Sequence, residues 1–237
     1  MESYIIINEM NSYEDLEMLL KSMTIPSSNE EYEEVGVEGR SGTLTIKKGT
    51  YKDKNLSFSF DLNRNKNESY IDFQSRIDNI EDILEKKSDT LIVFNRPDKK
   101  FIIKRILKEI TLESDINVDI QLNIICEPFM YLIDERYMTL VNNSTIYYQG
   151  TVPGECNIKI YGSGNIQLTI NDETIQINNV NEYVELDSKL LLCLNSDRTS
   201  KSRDMIGHFP LLTRGSNNIS WTGNVFKVEI LPRTAFK

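Results

Sequence analysis

The cleanest pattern in the chain runs through Ile116, Val118, Ile120, Leu122 and Ile124, where every second residue is apolar. A period of two marks a strand with one face in a core. The same alternation holds in Asn55–Asp61 ("NLSFSFD"). Apolar runs at Tyr4–Ile7, Thr90–Phe94 and Phe101–Ile106 read as further strands, the last two flanking a hairpin-like connection, "NRPDKK". One segment changes period. In "SYIDFQSRIDNIEDILEKK" (Ser69–Lys87), Tyr70, Phe73, Ile77, Ile80 and Leu84 fall on one helical stripe. Ser69 suits the N-cap, with Asp72 completing an imperfect capping box, and Lys86 and Lys87 are expected in the last turn. Asn11–Met23 fits two patterns. Leu16, Leu19, Leu20 and Met23 suit a helix capped by Asn11 or Ser12, while Leu16, Met18 and Leu20 alternate as in a strand. Pro26-Ser27-Ser28-Asn29 reads as a loop.

Pro128, within "CEPFMY" (Cys126–Tyr131), cannot donate to a ladder and is expected to close a first unit. From Met138 on, short strands follow one another: Ile146–Tyr148, Cys156–Tyr161, Ile166–Ile170, Thr174–Ile177, Tyr183–Leu186, Asn218–Trp221 and Val225–Ile230. "GSGN" (162–165), "NDE" (171–173) and "WTGN" (221–224) read as the turns between them, and Asn195–Ser216 as a polar loop. Short strands at this spacing indicate a β-sandwich. The expected fold is therefore mainly β, with two β-sandwich domains, 1–137 carrying one α-helix and 138–237 having none. The two halves share no internal repeat.

Composition narrows the function classes. The 237 residues suffice for one large all-β domain or two ordinary ones, and a balance of 39% hydrophobic to 27% charged residues is that of a soluble globular chain. The longest apolar runs, such as Ile5–Ile7 and Leu190–Leu192, fall far short of the roughly 20 residues that span a bilayer. Glu2 stands where a signal peptide would carry a basic residue, and no long apolar stretch follows it. A net charge of −9, with lysines and arginines scattered singly or in pairs, argues against a surface that grips nucleic acid, though such a surface can keep DNA from adhering. Cys126, Cys156 and Cys193 are odd in number and lack CxxC spacing, so they read as reduced, apolar residues of a protein folded in a cytoplasm. His208 is the one histidine, which removes His-rich metal sites.

Candidate chemistry is sparse. "EEVGVEGRSGTLTIKKGTY" (Glu33–Tyr51) is glycine-rich, but a phosphate loop needs a helix after its glycines. Here Thr43-Leu44-Thr45-Ile46 reads as a strand, so Gly39 and Gly42 are expected to supply positive-φ turn positions. Glu30, Glu31, Glu33 and Glu34 crowd one exposed stretch and read as a solvated face, since an acid–base pair needs two carboxylates in different environments. Arg203, Asp204 and His208 lie close in sequence with no nucleophile placed near them, and His208 reads as a partly packed surface residue. Trp221 could stack on a sugar, yet it alternates with Ile219 toward a core. Asn142, Asn143 and Asn218 begin N-x-S/T triplets that read as chance in an Asn-rich chain. No catalytic, cofactor or metal site emerges, and the chain reads as a non-enzyme.

Three stretches, in order, carry a resemblance. "NEEYEEVGVEGRSGTLTIKKGTYKDKNLSFSF" is similar to the acidic-aromatic lead, PGRDG-like turn and strand pair of the distal tail proteins of long-tailed bacteriophages and related prophages. Glu38 stands where that family usually has proline, and Ser41 where it has aspartate. The helix, "LIVFNRPDKKFIIKRI" and the strand ending in "CEPFMY" resemble the family's F-x-C-x-P-F close, with Ile124 or Ile125 where phenylalanine is common. "NIKIYGSGNIQLTINDETIQI" and "GSNNISWTGNVFKVEILPR" look like its C-terminal galectin-like sandwich. The resemblance covers nearly the whole chain. It implies a structural virion protein, made in the host cytoplasm, whose N-terminal belt domain (1–137) assembles six copies into a ring. That ring would join the tail tube to the tail-tip hub around a channel that DNA crosses, with no membrane insertion and no cofactor. The sandwich (138–237) would point outward as a plain adaptor with no inserted module. As an alternative it would bind host-surface carbohydrate, through Trp221 or Tyr147, Tyr148, Tyr161 and Tyr183.

Overall fold

The computed structural model describes residues 3–237; Met1 and Glu2, on which part of the signal-peptide reading falls, lie outside them. The chain is mainly β, with one α-helix, and divides into two compact units, one reaching Met130 and including Lys237, the other Tyr131–Phe236.

The first unit contains β1 (Ile5–Ile7), β2 (Met10–Asn11), β3 (Leu19–Thr24), β4 (Glu30–Gly36), β5 (Thr43–Tyr51), β6 (Lys54–Asn63), α1 (Tyr70–Glu85), β7 (Thr90–Val93), β8 (Lys99–Ser114) and most of β9 (Asn117–Leu132). Seven of its strands follow the order β2-β1-β7-β8-β9-β6-β3 in an eight-stranded sheet, whose further strand (235–236) also pairs with β9, and among the described residues β4 and β5 pair with each other alone. The alternations do what their period requires: Leu56, Phe58, Phe60 and Leu62 on β6 and Val118, Ile120, Leu122 and Ile124 on β9 are all buried. Ile116 ends outside the strand and is exposed. Helix α1 buries Phe73, Ile77, Ile80 and Leu84, while Tyr70 at its first turn stays exposed. The Ser69 hydroxyl accepts from the Asp72 amide at 3.1 Å, and the helix stops at Glu85 with Lys86 as its C-cap, so neither Lys86 nor Lys87 lies in the last turn. We expect Ser69→Ala to lower the stability of this unit by about 1 kcal/mol in a denaturant titration, because an N-cap hydroxyl satisfies an otherwise orphaned amide.

Asn11–Met23 is not a helix. Asn11 ends β2, a turn follows, and β3 runs from Leu19 against β6. The Asn11 carboxamide accepts from the Tyr13 and Glu14 amides at 2.9 and 3.3 Å, as an N-cap does, but the turn it opens ends at Glu17, whose φ is +54°, and the Met18 amide donates back to the Ser12 carbonyl at 2.7 Å. Pro128 does not stop its strand either. β9 continues to Leu132, because its ladder with β6 ends at the Lys54–Cys126 pair and no amide donor is required from Pro128 there.

The second unit holds β10 (Met138–Leu140), β11 (Ser144–Tyr148), β12 (Asn157–Ile170), β13 (Glu173–Val180), β14 (Tyr183–Asp187), β15 (Leu192–Asn195), β16 (Met205–Ile206), β17 (Gly215–Leu231) and β18 (Ala235–Phe236). Two of the expected turns are bulges within long strands. "GSGN" lies inside β12 and "WTGN" inside β17, and the register between these strands shifts between Tyr161 and Gly162 and again between Ser163 and Gln167. Each long strand is thereby bent. One half of β12 pairs with β14, the other with β13, and β17 accompanies both. The two halves share one core of Ile158, Ile160, Ile166, Leu168, Ile219 and Val228 among others, so a folded sheet builds the sandwich. Glycine is required at the bend. A Cβ on Gly162 would lie 2.3 Å from the Asn224 carbonyl oxygen, and one on Gly223, at φ +102°, 2.5 Å from that of Asn165. "NDE" is a true turn, joining β12 to β13 with Asn171 at positive φ. Asn195–Ser216 is mostly irregular, with one short 3-10 turn and β16.

A buried polar cluster closes one side of this unit. Asp187, at the end of β14, takes both Arg233 guanidinium nitrogens at 2.6 and 2.7 Å, the amides of Lys189 and Leu190 at 3.0 Å, and the Asn157 carboxamide at 3.0 Å. Burial alone pushes the Asp187 carboxyl up, but the Arg233 fork and these donors outweigh it and hold the group at about 2. Cys126, Cys156 and Cys193 are unpaired and buried, and burial pushes their thiols up to about 12, 12 and 11. They pack as small apolar residues.

Candidate assembly interface

The glycine-rich segment forms a free-standing ribbon. β4 and β5 pair antiparallel from Glu30–Tyr51 at the root to Gly36–Thr43 at the tip, and among the described residues no third strand joins them. Gly39 (φ +78°) and Gly42 (φ +85°) turn the tip, and the chain leaves it as a strand, which excludes phosphate-loop geometry. The Glu30–Glu34 run, expected as a solvated loop-flanked face, is therefore a strand.

The register decides what each face of the ribbon carries. Residues directly opposite one another project to the same side. Val35 faces Leu44, and Ile46 faces Glu33, so Val35, Leu44 and Ile46 share one face with Glu33, which pairs with Lys48; Tyr32, Lys47, Glu34 and Thr45 share the other. The polar face is tied internally. Glu30 accepts from Lys47 at 3.1 Å and from the Tyr32 hydroxyl at 3.0 Å, and these two contacts lower its carboxyl and raise the Lys47 ammonium. Val35, Leu44 and Ile46 are all exposed. An isolated two-stranded ribbon is marginal in water, and a bare apolar face adds nothing to it until something covers that face. At its root Tyr51 meets the Phe129 ring edge-on at 5.0 Å. Substituting Gly39 by Val forces a β-branched side chain into left-handed backbone, at about 1–2 kcal/mol. Because nothing lies within 4 Å of the Gly39 position, we expect the loss to stay within the ribbon and leave the main melting transition unmoved.

The remaining candidate residues do not converge. Glu30, Glu31 and Glu33 are engaged with Lys47, Thr50 and Lys48. Asp204 pairs with Lys201 at 2.8 Å, while Arg203 and His208 are exposed. Among the described residues no group of three or more His, Cys, Asp or Glu side chains is placed to hold a metal ion, and no helix is long and apolar enough to cross a membrane.

The aromatic candidates separate. Tyr148 is a core residue, 1% exposed, whose hydroxyl donates to the Val152 carbonyl at 2.8 Å and accepts from the Ala235 amide at 3.0 Å. Ile219 is buried, and Trp221 packs partly buried against the same core. Tyr147 stands alone, 76% exposed. Tyr161 and Tyr183 do come together, with ring centroids 5.4 Å apart, and Phe226, 75% exposed, lies 6.4 Å from Tyr161. The Lys227 ammonium sits 5.0 Å from the Tyr161 ring and pairs with Glu229, which accepts from the Tyr161 hydroxyl at 3.0 Å. Sequence reasoning missed Phe226. Its signal was an aromatic residue placed beside a glycine-marked bulge.

No family model matches the chain, and no curated protein does. Its fold is that of a solved structure, the crystal structure of SPP1 Dit (gp 19.1), described as a paradigm of the hub adsorption apparatus in phages that infect Gram-positive hosts. The two superpose with a TM-score of 0.72 over 98% of this chain and 99% of that one, at 10% sequence identity. At that identity the likeness establishes the fold.

Proposed function

We propose that this chain is a structural component of a phage tail tip, in which six copies close into a ring through an N-terminal belt domain (1–137). The ring joins the tail tube to the tail-tip hub, and DNA passes through its centre. The second, galectin-like sandwich (138–237) points outward. The observation that carries this reading is the uncovered apolar face of Val35, Leu44 and Ile46, on a chain that follows the fold of a hub adsorption protein from end to end. A neighbouring copy is the occupant that gives every ribbon a cover at once, because a head-to-tail contact that closes leaves none unpaired. The net charge of −9 favours a lumen lined by Asp and Glu, past which DNA slides without adhering. Mass measurement in solution followed by negative-stain imaging tests the proposal. Six-fold rings with a central hole are expected, and a strictly monomeric protein with no annular form in virions would overturn it. A lumen lined mainly by Lys and Arg would overturn the charge argument alone.

A second reading has one observation behind it, the cluster of Tyr161, Tyr183 and Phe226. The exposed Phe226 ring, beside the half-buried Tyr161 and Tyr183 and backed by a charged pair, offers a surface on which a sugar can stack. We expect Phe226→Ala to abolish any binding to host cell-wall polysaccharide on a glycan array while leaving the fold intact. Silence of the unaltered protein across such polymers leaves the structural role standing alone.

A further inference from the structure

The alternation on β6 places Lys54 on the same face as Leu56, Phe58 and Phe60, where the fold otherwise buries apolar side chains. Lys54 is 4% exposed. Its neighbour Asp53 does not serve it: that carboxylate binds the Lys104 ammonium at 2.7 and 2.8 Å. Among the described residues the Lys54 ammonium has no hydrogen-bond acceptor and no carboxylate partner, and its one polar contact is the face of the Phe101 ring, 5.7 Å from the centroid. Buried lysines are rare without a counter-charge, because removing an ammonium from water costs several kcal/mol unless something replaces the water. Burial accordingly lowers the Lys54 ammonium below the usual lysine range.

Lys54 does not lie in solid core. It lines a cavity of about 400 Å³ within the first unit, with Phe101, Val93, Met130 and Ile25 as apolar walls, Ser27, Ser28, Asn95 and Lys237 as polar ones, and Arg96 at its exposed rim. A lysine on a buried strand face, with no carboxylate beside it and opening into a cavity that has apolar walls and Arg96 at its mouth, is the complement of an anionic ligand. That ligand carries its negative charge on an apolar body. A neutral ligand leaves the ammonium unpaired, and a bare inorganic anion leaves the apolar walls uncovered.

We infer that this cavity is a carboxylate-binding site, in which Lys54 neutralises the carboxylate, Arg96 attracts it at the rim and the apolar walls hold the chain behind it. The carboxylate comes either from a free monocarboxylic acid or from an acidic side chain of another protein. This inference stands on the cavity and not on ring formation, so each can fail without the other.

The test uses the full chain. Sodium butyrate and N-acetyl-glutamate amide serve as the two sources, and sodium phosphate and sodium chloride at matched ionic strength as controls. Butyrate is expected to raise the melting temperature and to move the Lys54 ¹³Cε resonance, while the controls do neither. A response to the glutamate amide but not to butyrate assigns the site to protein side chains. Lys54→Met, which places an apolar side chain where the strand pattern calls for one, should melt no lower than the parent and lose the butyrate response. Arg96→Gln, on the exposed rim, should weaken binding about tenfold, the effect of a lost charged contact of about 1.5 kcal/mol. A Lys54 resonance that ignores both carboxylates, or a butyrate response unchanged in Lys54→Met, overturns the inference.

Discussion

Replacing Leu44 and Ile46 by threonine is expected to leave a well-folded protein that no longer assembles. Threonine keeps the β-branched preference of a strand, and both sites are exposed, so the melting transition of the unassembled chain should move by no more than about 0.5 kcal/mol. The contact between copies in the proposed ring loses far more. Burying each of these side chains is worth about 1.5 kcal/mol or more, so two of them contribute about 3 kcal/mol per interface, over a hundredfold in association. Sedimentation velocity of the double variant should therefore show the monomer at concentrations where the parent forms rings. The control is Tyr32→Thr on the opposite face of the ribbon, which should assemble as the parent does. Rings that persist in the Leu44/Ile46 variant would mean that another surface closes them. The exposed tip of the β8–β9 hairpin, with Leu112 and Ile116, is the next to test.

The second large effect lies in the polar cluster of the sandwich. Removing one partner of a buried ion pair leaves the other charge unneutralised, so Arg233→Met is expected to destabilise the second unit by about 3–5 kcal/mol in urea titration. The same pair sets an acid limit. The Asp187 carboxyl is held at about 2 in the folded protein against an ordinary value of 3.8. A depressed folded value contributes stability that is complete above the unfolded value and lost as pH falls toward the folded one. The difference amounts to about 2 kcal/mol, present at neutral pH and lost between about pH 4 and pH 2. In Arg233→Met that acid-dependent part should largely disappear, which equilibrium unfolding at pH 7 and pH 3 will reveal.

How far the sequence speaks for this fold depends on whether a residue's fate is local. Leu56–Leu62 and Val118–Ile124 alternate because each strand has one buried face, and both were legible. So was α1, whose stripe and Ser69 cap are set within one segment. The bulges were not. "GSGN" and "NDE" both carry turn-forming residues, and only the presence of β17 alongside β12 makes the first a bend and the second a loop. The ribbon was half legible. "TLTI" announced a strand, but a partner reading "EEYEEVG" has no buried face to reveal a period. Phe226 and Tyr183 meet Tyr161 from strands far apart in the chain, which no local pattern encodes. Lys54 reads as the polar lead-in to an apolar run until the sheet shows it to be the first member of that run.

The pairing of β12 with β17 has a consequence for how the protein comes into being. β10, β11 and both halves of β12 find partners on a strand that ends at Leu231, and only then can the second core close. Such non-local closure slows folding, and a ribosome delivers this strand only after all of its partners. Throughout synthesis the isoleucine-rich faces of β12 and β13 wait uncovered. A chain cut short before Gly215 is therefore a substrate for chaperones and proteases and not a smaller working module.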